Sequence, residues 1–381
     1  MTNSQNLKIL YLVNVDWFFI SHRLPIALEL IKRGFEVHIA CKVTKYESFL
    51  ISQGLIVHEL EMPRSSTNPI SFLNTFGKIY SVLKMIKPDI LHLITIKPVL
   101  IGGIAARLCK VPSVVVAISG LGFIYVASGI FAKIRKLLIS ILYKISLKHP
   151  NIKIIFQNTS DLHEINQILP LSEHQHVIIP GSGINLEQYT NEILSSADKA
   201  NPIVLMASRM LRDKGVIEFI RAARYVKNLK PNVRFVLAGM IDQDNPTGIS
   251  EDFLMSHQEE GYIEYWGHQE NMSKLLQSSS MVVLPSYREG MPKILLEAAA
   301  AGRAVITTDV PGCRDAIIEN ITGLLVQPKN YKLLADSIMY LLNNPSARTA
   351  MGLAGRKLAV EKFDIEDVIS QHLLCYQELL S

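Results

Sequence analysis

The sequence predicts an α/β protein made of two doubly wound, Rossmann-like parallel-sheet domains facing a cleft. Three observations carry that prediction. Short β-branched runs alternate with helical patterns along the chain, the runs are apolar on both faces, and 381 residues exceed the usual size of one domain. Strands apolar on both sides and separated by helices belong to sheets covered on two faces.

In chain order, the first half supplies the runs KILYLVNV, FEVHIAC, LIVHEL, DILHLIT, SVVVAIS and IKIIFQN. Between them lie segments such as SHRLPIALELIKRG, apolar at a spacing near 3.6 and closed by glycine. The second half continues with IVLMAS, VRFVLAG, YIEYW, MVVLP and AVITT. The polar stretch from Tyr189 to Pro202 is the expected seam. The expected domains are therefore 1–188 and 202–363, followed by an amphipathic helix over 364–381 that packs back on the body. In such sheets ligands bind beyond the carboxyl ends of the strands.

A formal charge of +5, from 39 basic and 34 acidic residues, with no long block of like charge, argues against a nucleic-acid partner. It leaves open an anionic ligand or a membrane surface. Cys41, Cys109, Cys313 and Cys375 are scattered without metal-ligand spacing and read as small buried hydrophobes. The first residues lack the pattern of a secretory signal, which points to a cytoplasmic protein.

Two segments bear on membranes. Val111 to Ala132 carries no charge, yet Pro112, Gly120, Gly122 and Gly129 favour a strand and a glycine-rich loop over a span. In Phe131 to Lys148, one stripe of Ile134, Leu137, Leu138, Ile141, Leu142 and Ile145 is read as the core side. Ile139, Tyr143 and Leu147, flanked by Arg135 and Lys136, are read as a second, outward patch. Such a helix either lies in an anionic membrane interface or is an ordinary core helix with a solvated edge.

The chemistry concentrates in SYREGMPKILLEAAAAG, Ser286 to Gly302. Pro292 suits the first helical position, so Gly290 and Met291 stand at a helix N-terminus, whose N–H groups and dipole favour phosphate. Glu289 precedes the helix, and Glu297 lies inside it among alanines, where a carboxylate is costly unless something donates to it. Sugar or ribose hydroxyls are suitable donors; the plainer alternative is a surface glutamate and a buried salt bridge. In IVLMASRMLRDKG, Arg209 and Lys214 follow a strand end, as a fork and a compact charge suited to a diphosphate, or simply as solvated side chains.

The combination of SRMLRDKG, the stretch from YWGHQENMSKLLQ to GCRDAI, and TGLLV resembles glycosyltransferase family 4, the retaining GT-B enzymes that use nucleotide sugars. The Glu-x7-Glu spacing from Glu289 to Glu297 is that family's signature. SHRLPIALELIKRGFEVHIA, ISGLGFIY and PGSGINLEQY are similar to the branch that builds bacterial surface polysaccharides and lipid-linked oligosaccharides. The glycine pair common after the first strand is replaced by NVDWFFISHRLP, and a second histidine after DILHL by ITIKP.

The resemblance implies an N-terminal acceptor domain and a C-terminal nucleotide-sugar domain. Arg209 and Lys214 would clamp the donor diphosphate, with no metal and no cofactor beyond a co-substrate, expected to be a UDP-sugar. Glu289 with Gly290, Met291 and Pro292 would hold the donor sugar and phosphate, Glu297 the ribose, and Asn245 the base pocket. His22 and Arg23, opening the first helix, and Ser119 and Gly120 would serve the acceptor. Trp17, Phe18 and Phe19, read as a turn, are open to two roles: contact with a polyprenyl chain, or burial between domains.

The implied partners are a nucleotide sugar, a polyprenyl-diphosphate-linked or polysaccharide acceptor and the inner membrane surface. The implied place is the cytoplasm, peripherally attached to the inner face of the membrane. A nucleotide-sugar 2-epimerase and a two-lobed sugar-binding protein are the rivals. A dehydrogenase is disfavoured because no GxGxxG follows the first strand.

Overall fold

The structure, a computed structural model, describes residues 7–62, 69–121, 130–190, 200–243 and 245–381. Among these residues two fully parallel sheets form. The first contains β1 (Lys8–Val15), β2 (Glu36–Lys42), β3 (Ile56–Glu59), β4 (Ile90–Ile94), β5 (Ser113–Ile118), β6 (Ile152–Phe156) and β7 (His176–Ile178), in the order β3-β2-β1-β4-β5-β6-β7. The second contains β8 (Ile203–Ala207), β9 (Arg234–Ala238), β10 (Glu264–Gly267), β11 (Met281–Leu284), β12 (Ala304–Thr308) and β13 (Gly323–Val326), in the order β10-β9-β8-β11-β12-β13.

Both orders reverse direction beside the strand that opens the sheet, at β1/β4 and at β8/β11. Such reversals leave a crevice at the carboxyl ends of the strands. The apolar runs follow from burial on both faces: β4, β5, β6, β8, β11 and β12 are buried along their whole lengths. β7 and β13 escape the sequence reading because three or four residues show no period.

The chain divides into two compact units, Met1–Ser182 with Glu366–Ser381, and Gly183–Ile365. The last helix, Ile365–Leu380, thus belongs to the first unit. It explains the polar residues inside that unit's strands. His92 Nδ1 of β4 lies 2.7 Å from the Tyr376 hydroxyl, which is 3.0 Å from that of Tyr11 in β1. Lys153 of β6 pairs with Glu378 at 2.5 Å, and Ser113 of β5 donates to the Leu379 carbonyl at 3.1 Å.

Three local expectations are corrected. Asp16–His22 is a helix, not a turn, because the buried Asp16 carboxylate accepts from the Thr44 amide and hydroxyl and anchors that helix to the loop after β2. Phe19 is consequently in the core, while Trp17 and Phe18 are half-buried. SHRLPIALELIKRG is broken at Arg23, which ends this helix and begins Leu24–Lys32.

In the helix Ile130–Ser146 the two faces are reversed. Tyr143 and Leu147 are buried and Ile139 and Leu142 pack on the core, whereas Ile134, Leu137, Leu138, Ile141 and Ile145 are exposed. A helix apolar on two sides does not encode which side meets the body. No helix among the described residues is long and apolar enough to cross a membrane, and Ser113–Ile118 is a strand. Gly122 and Gly129 lie outside the described residues.

Candidate active site

The site of the second unit is assembled from four loops that leave the carboxyl ends of β8, β9, β11 and β12. β8 and β11 are hydrogen-bonded neighbours, so their exits run side by side at the reversal of strand order. The loop after β11 is tied to the loop after β8 through the Asp213 carbonyl, which accepts from the Tyr287 amide at 2.9 Å and the Ser286 hydroxyl at 3.2 Å.

These ties bring Lys214 onto Glu289. Lys214 Nζ lies 2.5 Å from Glu289 Oε1, and the buried Ser286 hydroxyl donates to the same oxygen at 2.7 Å. One carboxylate oxygen is thereby held by a cation and a hydroxyl, fixing the orientation of the group. Both side chains of the pair are largely shielded from water, which strengthens their interaction relative to a surface pair. Sequence reading assigned Lys214 and Glu289 to one site; Ser286, inside the motif, passed unnoticed because a serine in a loop carries no signal of its own.

The loop after β12 buttresses the same turn. Pro311 accepts from the Glu289 amide at 3.2 Å, and Gly312 adopts φ +81° with its α-carbon pressed against the motif. A β-carbon there would fall 2.5 Å from the carbonyl oxygens of both Glu289 and Gly290. Beyond this turn, Lys293–Ala300 forms the helix, with Pro292 as its N-cap rather than its first helical residue. The shift of one position leaves Gly290 and Met291 at the helix mouth, and no side chain caps that end.

Arg209 has a partner that sequence reading missed. Its guanidinium pairs with Asp242 at 2.8 Å, in the loop after β9. Asn245 shapes that loop by accepting from the Thr247 amide and hydroxyl, each at 3.0 Å, while the Thr247 hydroxyl also reaches Asp213 at 2.7 Å. The loops carrying Arg209, Lys214 and Asn245 are therefore interlocked.

Glu297 is 8% exposed and stands apart from the Lys214–Glu289 pair in its contacts. Its neighbours are Lys293, one turn earlier at 3.7 Å, and the Tyr189 phenol, which hydrogen-bonds it. Burial raises its pKa, opposed by the Lys293 charge and the Tyr189 hydrogen bond. Tyr189 lies more than a hundred residues away in sequence, and only the fold reveals it.

The acceptor candidates lie in the first unit. The His22 ring stacks on Phe18 at 4.0 Å, with Nδ1 3.0 Å from the Phe18 carbonyl. Arg23 is 1% exposed, its Nη1 on the His22 carbonyl and its Nε without an acceptor. Ser119 and Gly120 follow β5 directly; the Ser119 hydroxyl is buried without a partner, and Gly120 adopts φ +101°.

The architecture is that of a two-sheet, doubly wound protein, and comparison with known proteins gives its class. Residues 8–159 match the family described as glycosyl transferase 4-like, and residues 191–358 the family described as glycosyl transferases group 1. The chain is 34% identical over 362 residues to the N,N'-diacetylbacillosaminyl-diphospho-undecaprenol alpha-1,3-N-acetylgalactosaminyltransferase of Campylobacter jejuni, covering 92% of this chain and 93% of that one. It is 29% identical to the capsular polysaccharide biosynthesis glycosyltransferase CapM of Staphylococcus aureus, covering 94% of each. In fold it is similar to Anabaena HepE, solved with UDP and glucose, at TM-score 0.77 and 16% identity over 98% of this chain and all of that one. The chain belongs to glycosyltransferase family 4, with the GT-B architecture, and is a glycosyltransferase.

Proposed function

We propose that the protein moves a sugar from a UDP-sugar to a polyprenyl-diphosphate-linked or polysaccharide acceptor, with retention of configuration and without a metal, at the cytoplasmic face of the membrane. The observation that carries this reading is Lys214 held on Glu289 at the mouth of the helix behind Pro292. A helix mouth with a lysine beside it suits a diphosphate, and a carboxylate beside that suits sugar hydroxyls. The Campylobacter relative, named for an undecaprenyl-diphosphate acceptor and an N-acetylhexosamine, supports the acceptor class and an N-acetylhexosaminyl or hexosyl donor.

Retention has a chemical support too. That relative makes an alpha linkage, and the common UDP-hexoses are alpha-linked, so transfer between them preserves the anomer. In this mechanism the acceptor oxygen bonds to C1 on the face where the C1–phosphate bond breaks, and the hydroxyl proton passes to the departing phosphate oxygen. Lys214, with Arg209 once Asp242 yields it, stabilises the developing negative charge and so replaces a metal. Glu289 holds the sugar in place, and Glu297 takes the ribose hydroxyls.

The test is transfer from a panel of UDP-sugars to undecaprenyl-diphosphate-linked N-acetylhexosamine, with the product anomer read by NMR. Lys214→Ala and Glu289→Ala are each expected to lower kcat/KM by about 10² to 10³ in protein that remains folded, and activity is expected to be insensitive to EDTA. Near-normal turnover in either variant, a beta product or loss of activity on chelation would overturn the corresponding assignment.

A further inference from the structure

The helix Ile130–Ser146 presents to solvent what a soluble helix normally hides. Ile134, Leu137, Leu138, Ile141 and Ile145 are between 40 and 61% exposed. At about 100° per residue they share one arc roughly 100° wide, the width of a core-facing stripe, yet the core is met by Ile139, Leu142, Tyr143 and Leu147 on the other side. Scattered surface aliphatics are ordinary; five in one contiguous stripe mark an interaction surface.

Charge selects the partner. From Ile130 to Lys148 the chain has no Asp or Glu but carries Lys133, Arg135, Lys136, Lys144 and Lys148. By helical angle Lys144 flanks the apolar arc on one side and Arg135 on the other, while Lys136 lies behind it and meets Glu164 at 3.5 Å. Lys144 and Lys148 are exposed. The neighbouring helix Gly103–Cys109 extends the pattern: exposed Leu108 adds an apolar side chain, and Arg107 donates to the Ile145 carbonyl at 3.3 Å. An apolar strip edged by cations and free of carboxylates is complementary to acyl chains beneath anionic headgroups.

We infer that this face docks the first unit on an anionic lipid surface, the helix lying in the plane of the interface with its aliphatic stripe among the acyl chains. At about 25 Å long and carrying four basic residues it lies in the interface and does not cross it. The inference deepens the proposed function, since a polyprenyl-linked acceptor is presented at such a surface, and it rests on that reading only for its purpose.

The experiment uses the full chain with vesicles of phosphatidylcholine alone or mixed with phosphatidylglycerol. Flotation is expected with the anionic vesicles and not with the neutral ones, falling at least about tenfold in Leu137→Gln/Leu138→Gln/Ile141→Gln and in Lys144→Glu/Lys148→Glu. A single Ile141→Trp is expected to shift its emission to the blue on anionic vesicles, a readout independent of the multiple variants. Transfer to a short-chain acceptor soluble in water is expected to stay within about twofold in all of them, because the substituted side chains face solvent.

Vesicle binding unchanged by both multiple variants, or a tryptophan that stays in a wet environment, would overturn the inference while leaving the transferase reading intact. Conversion of a dimer to a monomer by the glutamine variant, with no effect on vesicles, would assign the face to a second copy of this chain and overturn it equally. Absence of transfer to the soluble acceptor in the unsubstituted protein would instead count against the proposed function.

Discussion

Glu297, buried in its helix, carries a pH signature. Burial raises the Glu297 pKa above the ordinary carboxylate range, so the group takes up a proton at a less acidic pH than a solvated glutamate. A protonated carboxyl is a poorer acceptor for ribose hydroxyls. On acidification the KM for the donor is therefore expected to rise, with kcat little changed, and Glu297→Gln should flatten that dependence. Tyr189→Phe removes a hydrogen bond that favours the charged form and should move the inflection toward neutral pH. An inflection of the same position in all three proteins, in initial-rate profiles, would remove Glu297 from the donor site. At this scale the residue types were legible in sequence: a carboxylate among alanines announces a donor. Their partners were not, because Arg209 finds Asp242 and Lys214 finds Glu289 only through loops of different strands.

At the level of elements, the motif turn rests on the backbone of the loop after β12, whose Pro311 carbonyl accepts from the Glu289 amide. Gly312 is left-handed, and a β-carbon there meets two carbonyls of the turn bearing Glu289. Gly312→Ala is expected to cost about 1 to 3 kcal/mol in urea titrations and to lower kcat/KM more than tenfold by shifting Glu289 off Lys214. Gly34, also left-handed but with nothing near its missing β-carbon, is the control. Gly34→Ala should show the backbone cost of about 1 kcal/mol with activity intact. Equal activity losses in the two variants would sink the buttress. Most strands were legible from their apolar runs, whereas the helix Asp16–His22 was not, since its anchor is a tertiary contact between Asp16 and Thr44.

Across the first unit, the last helix closes the sheet with a buried polar cluster. His92 and His372 stack with ring centroids 6.0 Å apart, and Tyr376 bridges His92 and Tyr11. Burial, helped by the Arg23 charge, pushes the His92 pKa well down and that of His372 to about 3. The folded chain thus keeps both imidazoles neutral, while the unfolded chain protonates them below about pH 6.5. The unfolded state then binds more protons, so stability falls as pH drops, by about 1.4 kcal/mol per unit for each histidine. Urea titrations over this range should show stability falling with pH, and His372→Leu should make that fall shallower. A slope unchanged by the substitution would mean that His372 titrates normally.

The sequence by itself determined that the protein is two parallel α/β sheets, with Arg209 and Lys214 following β8 and Glu289 and Glu297 following β11. Burial on both faces of a strand leaves a local imprint, and a spaced acid pair beside a helix start is written in consecutive residues. The tertiary structure alone decided which side of Ile130–Ser146 meets the body, that Arg23 is buried, and which acid faces each cation. Those outcomes depend on what lies opposite once the chain is folded, and periodicity defines a face without naming its neighbour.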